Sequence, residues 1–161
     1  MKNLKNGMLL GIGSVVSGMT LIASVAVLLT AAPASAATSC TGTLIDSAPT
    51  TDVDNGARYG TLYLYYNSAT GRNCAKATNT TGGAHEMMVW LTRCAAGTGD
   101  HTMCSPSDGT EQGANYDHGT YHEYAGPVNT LGSSAGRCVE AFTWIQVGSR
   151  LGEVDITGHC G

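Results

Sequence analysis

Six cysteines constrain this chain more than any other feature: Cys40, Cys74, Cys94, Cys104, Cys138 and Cys160, at spacings of 34, 20, 10, 34 and 22 residues. No two form a CxxC pair that would bring thiolates to one zinc ion, so staples are expected rather than a metal site. Three disulfides could connect in 15 ways. An antiparallel hairpin turning at Gly148 would bring Cys138 and Cys160 together at its open end. Cys94 and Cys104 close a polar loop, a link that stabilises by about 3 kcal/mol in the chain-entropy picture. Cys40–Cys74 is then the remaining pair.

Disulfides need an oxidising compartment, and the start of the chain reads as an export signal. Lys2 and Lys5 precede an uncharged stretch over 7–29, followed by Ala34-Ser35-Ala36, small residues at the spacing a signal peptidase reads. Cleavage after Ala36 divides the chain into a signal peptide, 1–36, and one mature domain, 37–161. A retained anchor is the alternative, since the apolar run is long enough to span a bilayer. Cys40 is not a lipidation site: Ala37, Thr38 and Ser39 lack the large aliphatic residue of a lipobox, and lipidation would leave five cysteines.

The whole chain carries a formal charge of −4. Without Lys2 and Lys5 it becomes −6, which disfavours phosphate-rich partners such as nucleic acid. Only 12% of residues are charged, arguing against a coiled coil or a charge-driven disordered tail.

The mature part alternates with period two in short runs broken by Gly, Asn, Asp and Ser. Strands are expected near 42–45, 59–66, 72–78, 85–94, 116–124, 127–131, 138–147 and 152–157, with a loop over 49–56. The strand at 85–94 has Met87, Val89 and Leu91 on one side and Met88 and Trp90 on the other, the pattern expected of a strand central in its sheet. In 138–147, Val139, Ala141, Thr143 and Ile145 alternate against Phe142 and Trp144. Seven or eight short strands predict an all-β fold, a single antiparallel sandwich or barrel.

Motifs for chemistry are weak. Gly132-Ser133-Ser134-Ala135-Gly136 matches GxSxG, with Asp155 and His159 following in hydrolase order, but the nucleophile elbow needs a helix after the serine. Asp117, His118, His122 and Glu123, with His85 or His159, are the candidate metal cluster, yet His118 and His122 would sit about 13 Å apart on a strand. Solvated histidines are the simpler account. Asp52-Val53-Asp54-Asn55-Gly56 fails the EF-hand register and reads as an acidic turn. Asn79-Thr80-Thr81 is a glycosylation sequon. Tyr59, Tyr63 and Tyr65 share a strand face and form the candidate contact surface, with cross-strand packing as the alternative. No catalytic residue, metal or cofactor is predicted. The reading is a secreted, non-catalytic β domain.

Several segments resemble the spore-associated protein A family of filamentous, spore-forming Gram-positive bacteria. They are Tyr63-Leu64-Tyr65-Tyr66-Asn67-Ser68-Ala69-Thr70-Gly71-Arg72-Asn73-Cys74, Tyr124-Ala125-Gly126-Pro127-Val128, Gly136-Arg137-Cys138-Val139 and His159-Cys160-Gly161. Two departures stand out. The family pattern has four cysteines, so Cys94 and Cys104 resemble an added pair around an inserted loop. Glu140-Ala141-Phe142 stands where the family tends to carry a tryptophan-glycine pair. The resemblance implies association with spores and aerial hyphae and no enzymatic activity. It points to a surface or binding module with a protein or cell-surface partner and no membrane contact after cleavage. Alternatives of other classes are an adaptor in a secreted antibacterial toxin assembly and an inhibitor of secreted hydrolases.

Overall fold

Eight antiparallel strands and no helix make up the described residues, 39–104 and 115–161, of a computed structural model. The export segment and its cleavage point after Ala36 lie outside them. The strands are β1 (Thr43–Asp52), β2 (Arg58–Asn67), β3 (Arg72–Asn79), β4 (His85–Arg93), β5 (Asn115–Tyr121), β6 (Tyr124–Asn129), β7 (Val139–Val147) and β8 (Arg150–Gly158). One sheet runs β5-β4-β7-β8-β1-β2-β3-β6 and curls until its two edges meet, a nearly closed barrel rather than a two-layer sandwich. Three disulfides join Cys40 to Cys74, Cys94 to Cys104 and Cys138 to Cys160, the pairs set out above.

The interior takes one side of each alternation. Leu62 and Leu64 from β2, Met87, Val89 and Leu91 from β4, and Val139, Ala141 and Ile145 from β7 are all fully buried. Ala75, Ala77 and Ala125 fill the narrow space opposite them. Small and large residues thus interdigitate, as a small barrel requires.

The ladder has two weak seams. At the first, β5 and β6 exchange no strand pairing, and side chains bridge them instead. Across the gap Asp117 accepts the Gly126 amide at 2.7 Å and the Asn115 side chain donates to the Asn129 carbonyl at 3.2 Å, while within β5 the Tyr121 hydroxyl donates to Asp117 at 2.6 Å. Burial, with the Asp117 bond second, pushes the Tyr121 hydroxyl up to about 12. At the second seam β1 meets β8 through only two positions, Thr51↔Glu153 and Asp52↔Gly152. The strands separate beyond them.

That second seam corrects two expectations. The loop expected over 49–56 begins later, because β1 continues through Pro49 to Asp52. Proline is tolerated there because β1 has no β8 ladder until Thr51, so no amide is required on that side. The second correction concerns Tyr59. Register slips by one residue between Thr50↔Gly60 and Thr51↔Arg58, leaving Tyr59 as the extra residue of a bulge. The bulge turns its ring inward, 8% exposed, away from Tyr63 and Tyr65. Gly152 makes room: a Cβ there would lie 2.6 Å from the Tyr59 ring. Tyr59 is therefore core, not contact surface.

Its hydroxyl donates to Asp52 Oδ2 at 2.5 Å. The amides of Asp54 and Asn55 donate to Asp52 Oδ1 at 2.9 and 3.1 Å, and Arg150 lies 3.5 Å away. The acidic turn at Asp52 is thus a structural cap on the seam. The Tyr59 bond foremost, then these donors, holds the Asp52 carboxyl below its ordinary 3.8, against the opposing effect of burial.

A carboxyl held lower in the folded chain than in the unfolded one contributes its stability in full above 3.8. It loses that contribution as pH falls through the folded value. Glu140 has the opposite sign: burial, foremost, raises its carboxyl above the ordinary 4.5. Thermal denaturation from about pH 7 to pH 2 should show the wild type losing stability below 3.8, and Asp52→Asn should start lower but decline less there. Parallel curves would contradict this role. At the other seam, Asp117→Ala should cost about 2–3 kcal/mol, since both donors lose a charged acceptor. Urea denaturation measures it.

Candidate binding surface

Sorting side chains between the inside and outside of the barrel gives an unusual result. The central aliphatic residues of β2, β4 and β7 go in, while both tryptophans and the single phenylalanine go out. Cross-strand register arranges them as a grid on β5, β4, β7 and β8. One row reads His118, Met88, Trp144, Glu153, and the next reads Tyr116, Trp90, Phe142, Asp155. Directly opposed residues on one face lie about 4.5–5.5 Å apart, so the four central side chains form one continuous apolar patch.

β4 lies inside the sheet, between β5 and β7, and its two apolar faces are unequally buried. Met87, Val89 and Leu91 are fully buried, but Met88 and Trp90 are only half-buried because a barrel has no second sheet over its outside. Their neighbours Phe142 and Trp144 are half-buried too, and Tyr116 is 66% exposed. A contiguous apolar patch on a solvent-facing sheet is informative in a way that scattered apolar residues are not.

The margins are polar and acidic. On the β5 side, His118 lies 3.0 Å from Glu86 and tilts against Trp144 with ring centroids 5.4 Å apart. On the β8 side Glu153 and Asp155 are exposed. No lysine or arginine occupies these two rows. At one end Met88, Trp90, Phe142, Met103 and Glu140 line a shallow cleft of about 380 Å³. Met103, 64% exposed, comes from the loop stapled by Cys94–Cys104. Glu140 is buried beneath it and accepts the Cys104 amide at 2.6 Å. Burial, foremost, raises its carboxyl, and that amide partly counters it.

Tyr63 and Tyr65 remain half-buried on the outside of β2, beside Lys76 and Cys74 of β3. The Lys76 ammonium stands 3.6 Å over the Tyr124 ring. This is a smaller, mixed surface separate from the grid.

The other motifs resolve into structural roles. Ser134 is 3% exposed and its hydroxyl donates to Asn73 Oδ1 at 2.5 Å, tying the 132–136 turn to β3. Its amide donates to the Gly71 carbonyl at 2.6 Å. Gly71, at φ +66°, must be glycine twice over, because a Cβ would also lie 2.4 Å from Ser133 Oγ. His159 pairs with Asp46, 2.8 Å away, and not with Asp155. The helix that an elbow serine requires is absent among the described residues. Asp117 serves the β5–β6 seam while His118 faces outward, and no group of three metal-binding side chains occurs among the described residues. Asn79 donates to the Gly83 and Tyr121 carbonyls at 2.7 and 3.2 Å, so the sequon amide already has structural partners.

The grid is legible in the sequence only in hindsight. Phe142 and Trp144 alternate against Val139, Ala141 and Ile145, which is the phase of an outward face, but alternation cannot say whether a second layer covers it.

No protein-family model matches the chain, and no solved structure matches it. Among curated proteins it is similar to Spore-associated protein A of Streptomyces coelicolor, 37% identical over 102 residues. The match covers 63% of this chain and 54% of that protein, so the chain spans about half the length of the relative. Over these 102 residues the similarity supports the resemblance to the spore-associated protein A family drawn from the sequence.

Proposed function

We propose that this protein is a non-catalytic binding module of the spore or aerial-hypha surface, exported and held there through the outward aromatic grid of β4 and β7. The observation that carries the reading is the placement of Trp90, Trp144 and Phe142 outside a barrel whose core is aliphatic. Large rigid rings offer contact area at low entropic cost, and tryptophan is enriched among the few residues that dominate binding. The name of the relative supports the location, and three disulfides suit an oxidising compartment. The acidic margin favours a neutral or basic partner surface, with attachment that weakens as salt rises. Tyr63 and Tyr65 offer a second, smaller contact.

Retention on washed spores, measured beside thermal melting, tests this. Trp144→Ala and Trp90→Ala should each weaken retention about thirtyfold, the effect of a central hot spot. Their melting should change little, since neither ring is in the core. Tyr63→Ala reports on the smaller surface. Full retention in both tryptophan variants would end the reading. A stoichiometric large partner or a secreted protease in the culture fluid, in place of spore attachment, would replace it with the adaptor or the inhibitor.

Absence of catalysis is part of the proposal, supported by the engagement of the Ser134 hydroxyl with Asn73. Ser134→Ala should cost about 1–3 kcal/mol through the partner it abandons, with no hydrolysis lost. Labelling of Ser134 by a serine-reactive phosphonate would overturn it.

A further inference from the structure

On the β8 side both rows of the aromatic grid end in carboxylates: Trp144 stands opposite Glu153, and Phe142 opposite Asp155. The adjoining rows add Glu86 of β4 and Glu140 of β7. No lysine or arginine stands at the outward positions of these four strands. Glu86 has His118 as its partner, but Glu153 and Asp155 are exposed and form no ion pair among the described residues. The carboxyls act on one another: after burial and the opposing Cys104 amide, the charge of Asp155 is a further cause that raises Glu140.

Such a face repels a copy of itself, because a two-fold contact would set carboxylates against their own counterparts. An apolar platform with an uncompensated acidic border suits a cation instead. The guanidinium group fits both features. It is planar, stacks on aromatic rings and forks onto a carboxylate, whereas an ammonium is a compact point charge. Directly opposed side chains lie about 4.5–5.5 Å apart. A guanidinium over Trp144 is therefore within reach of Glu153, and one over Phe142 within reach of Asp155.

Spacing narrows the partner further. Phe142 and Trp144 are two residues apart on β7, as are Glu153 and Asp155 on β8, a separation of about 6.6–6.8 Å. An extended chain with arginine at every second position repeats that distance and presents both side chains on one face.

We propose that the β7–β8 side of the grid is a docking site for an extended, arginine-bearing segment of a partner protein. Two arginines at alternate positions engage Trp144 with Glu153 and Phe142 with Asp155. This rests on the grid being the contact surface and adds the chemistry of what it contacts.

Both tryptophans of the chain lie on the grid, so intrinsic fluorescence reports on it directly. A blocked threonine–arginine–threonine–arginine–threonine peptide in low salt should change that fluorescence saturably, with a dissociation constant of about 1 mM. The lysine counterpart should bind about threefold more weakly. Glu153→Gln combined with Asp155→Asn, both at exposed positions, should weaken the arginine peptide about tenfold without lowering the melting temperature. No saturable binding, equal binding of the lysine peptide, or undiminished binding by the folded double variant would each overturn the proposal. Tighter binding of chitotetraose than of the peptide would also overturn it, in favour of a glycan platform. Spore retention separates this proposal from the reading beneath it. If Trp144→Ala loses retention and no arginine peptide binds the wild type, the contact surface stands and the arginine partner falls. If both tryptophan variants keep full retention while the peptide binds, the spore reading falls and the docking site stands.

Discussion

Backbone hydrogen bonding nearly closes this barrel but fails at two seams, and side chains take over at both. A strand edge without a partner must be satisfied or exposed. At β5–β6 the Asp117 carboxylate stands in for a missing ladder by accepting the Gly126 amide of β6, and the Tyr121 hydroxyl of its own strand donates to it as well. At β1–β8 two strand positions are reinforced by Asp52, which gathers Tyr59, two backbone amides and Arg150 around one carboxylate. Bonds to a charged acceptor are stronger than those between neutral groups. That strength suits a seam, where few bonds must do what a full ladder does elsewhere.

The Asp52 cluster also explains the division between inside and outside. The bulge at Tyr59 brings one aromatic ring into the barrel, close against Gly152, and the remaining interior is filled by leucine, valine, isoleucine, methionine and alanine. An eight-stranded barrel leaves little more room than its own side chains fill. Rings as large as Trp90 and Trp144 do not belong there, and the alternation of β4 and β7 places them outside. They are half-covered by one another and by His118, which lessens the cost of exposure without removing it.

Strand number, the all-β class and the two clearest hairpins follow from alternation and turn residues, and the cysteine pairs follow from hairpin geometry and loop closure. What the sequence does not disclose depends on register between distant strands. Tyr59 has the same parity as Tyr63 and Tyr65, and only a bulge opposite Thr50 and Thr51 separates it from them. Pro49 reads as a strand breaker, and only the absence of a β8 ladder beside it permits the strand to continue. The outward aromatic face depends on whether the sheet curls or stacks, a choice that period-two patterns leave open. The opening between β1 and β8 is further still from legibility, because it exists only where two strands from opposite ends of the domain fail to pair.

The disulfides answer the same failure. Cys40–Cys74 ties the segment before β1 to β3, and Cys138–Cys160 ties the start of β7 to the chain after β8, so the two flank the end where β1 and β8 separate. Covalent bonds thus hold the end of the barrel that has the fewest ladder bonds. The opening can persist there because its walls need not be held together by packing across it. The third bond, Cys94–Cys104, serves the other face: its loop brings Met103 to the aromatic grid and buries Glu140 beneath. A chain with full ladders and no unpaired edges would need these links less.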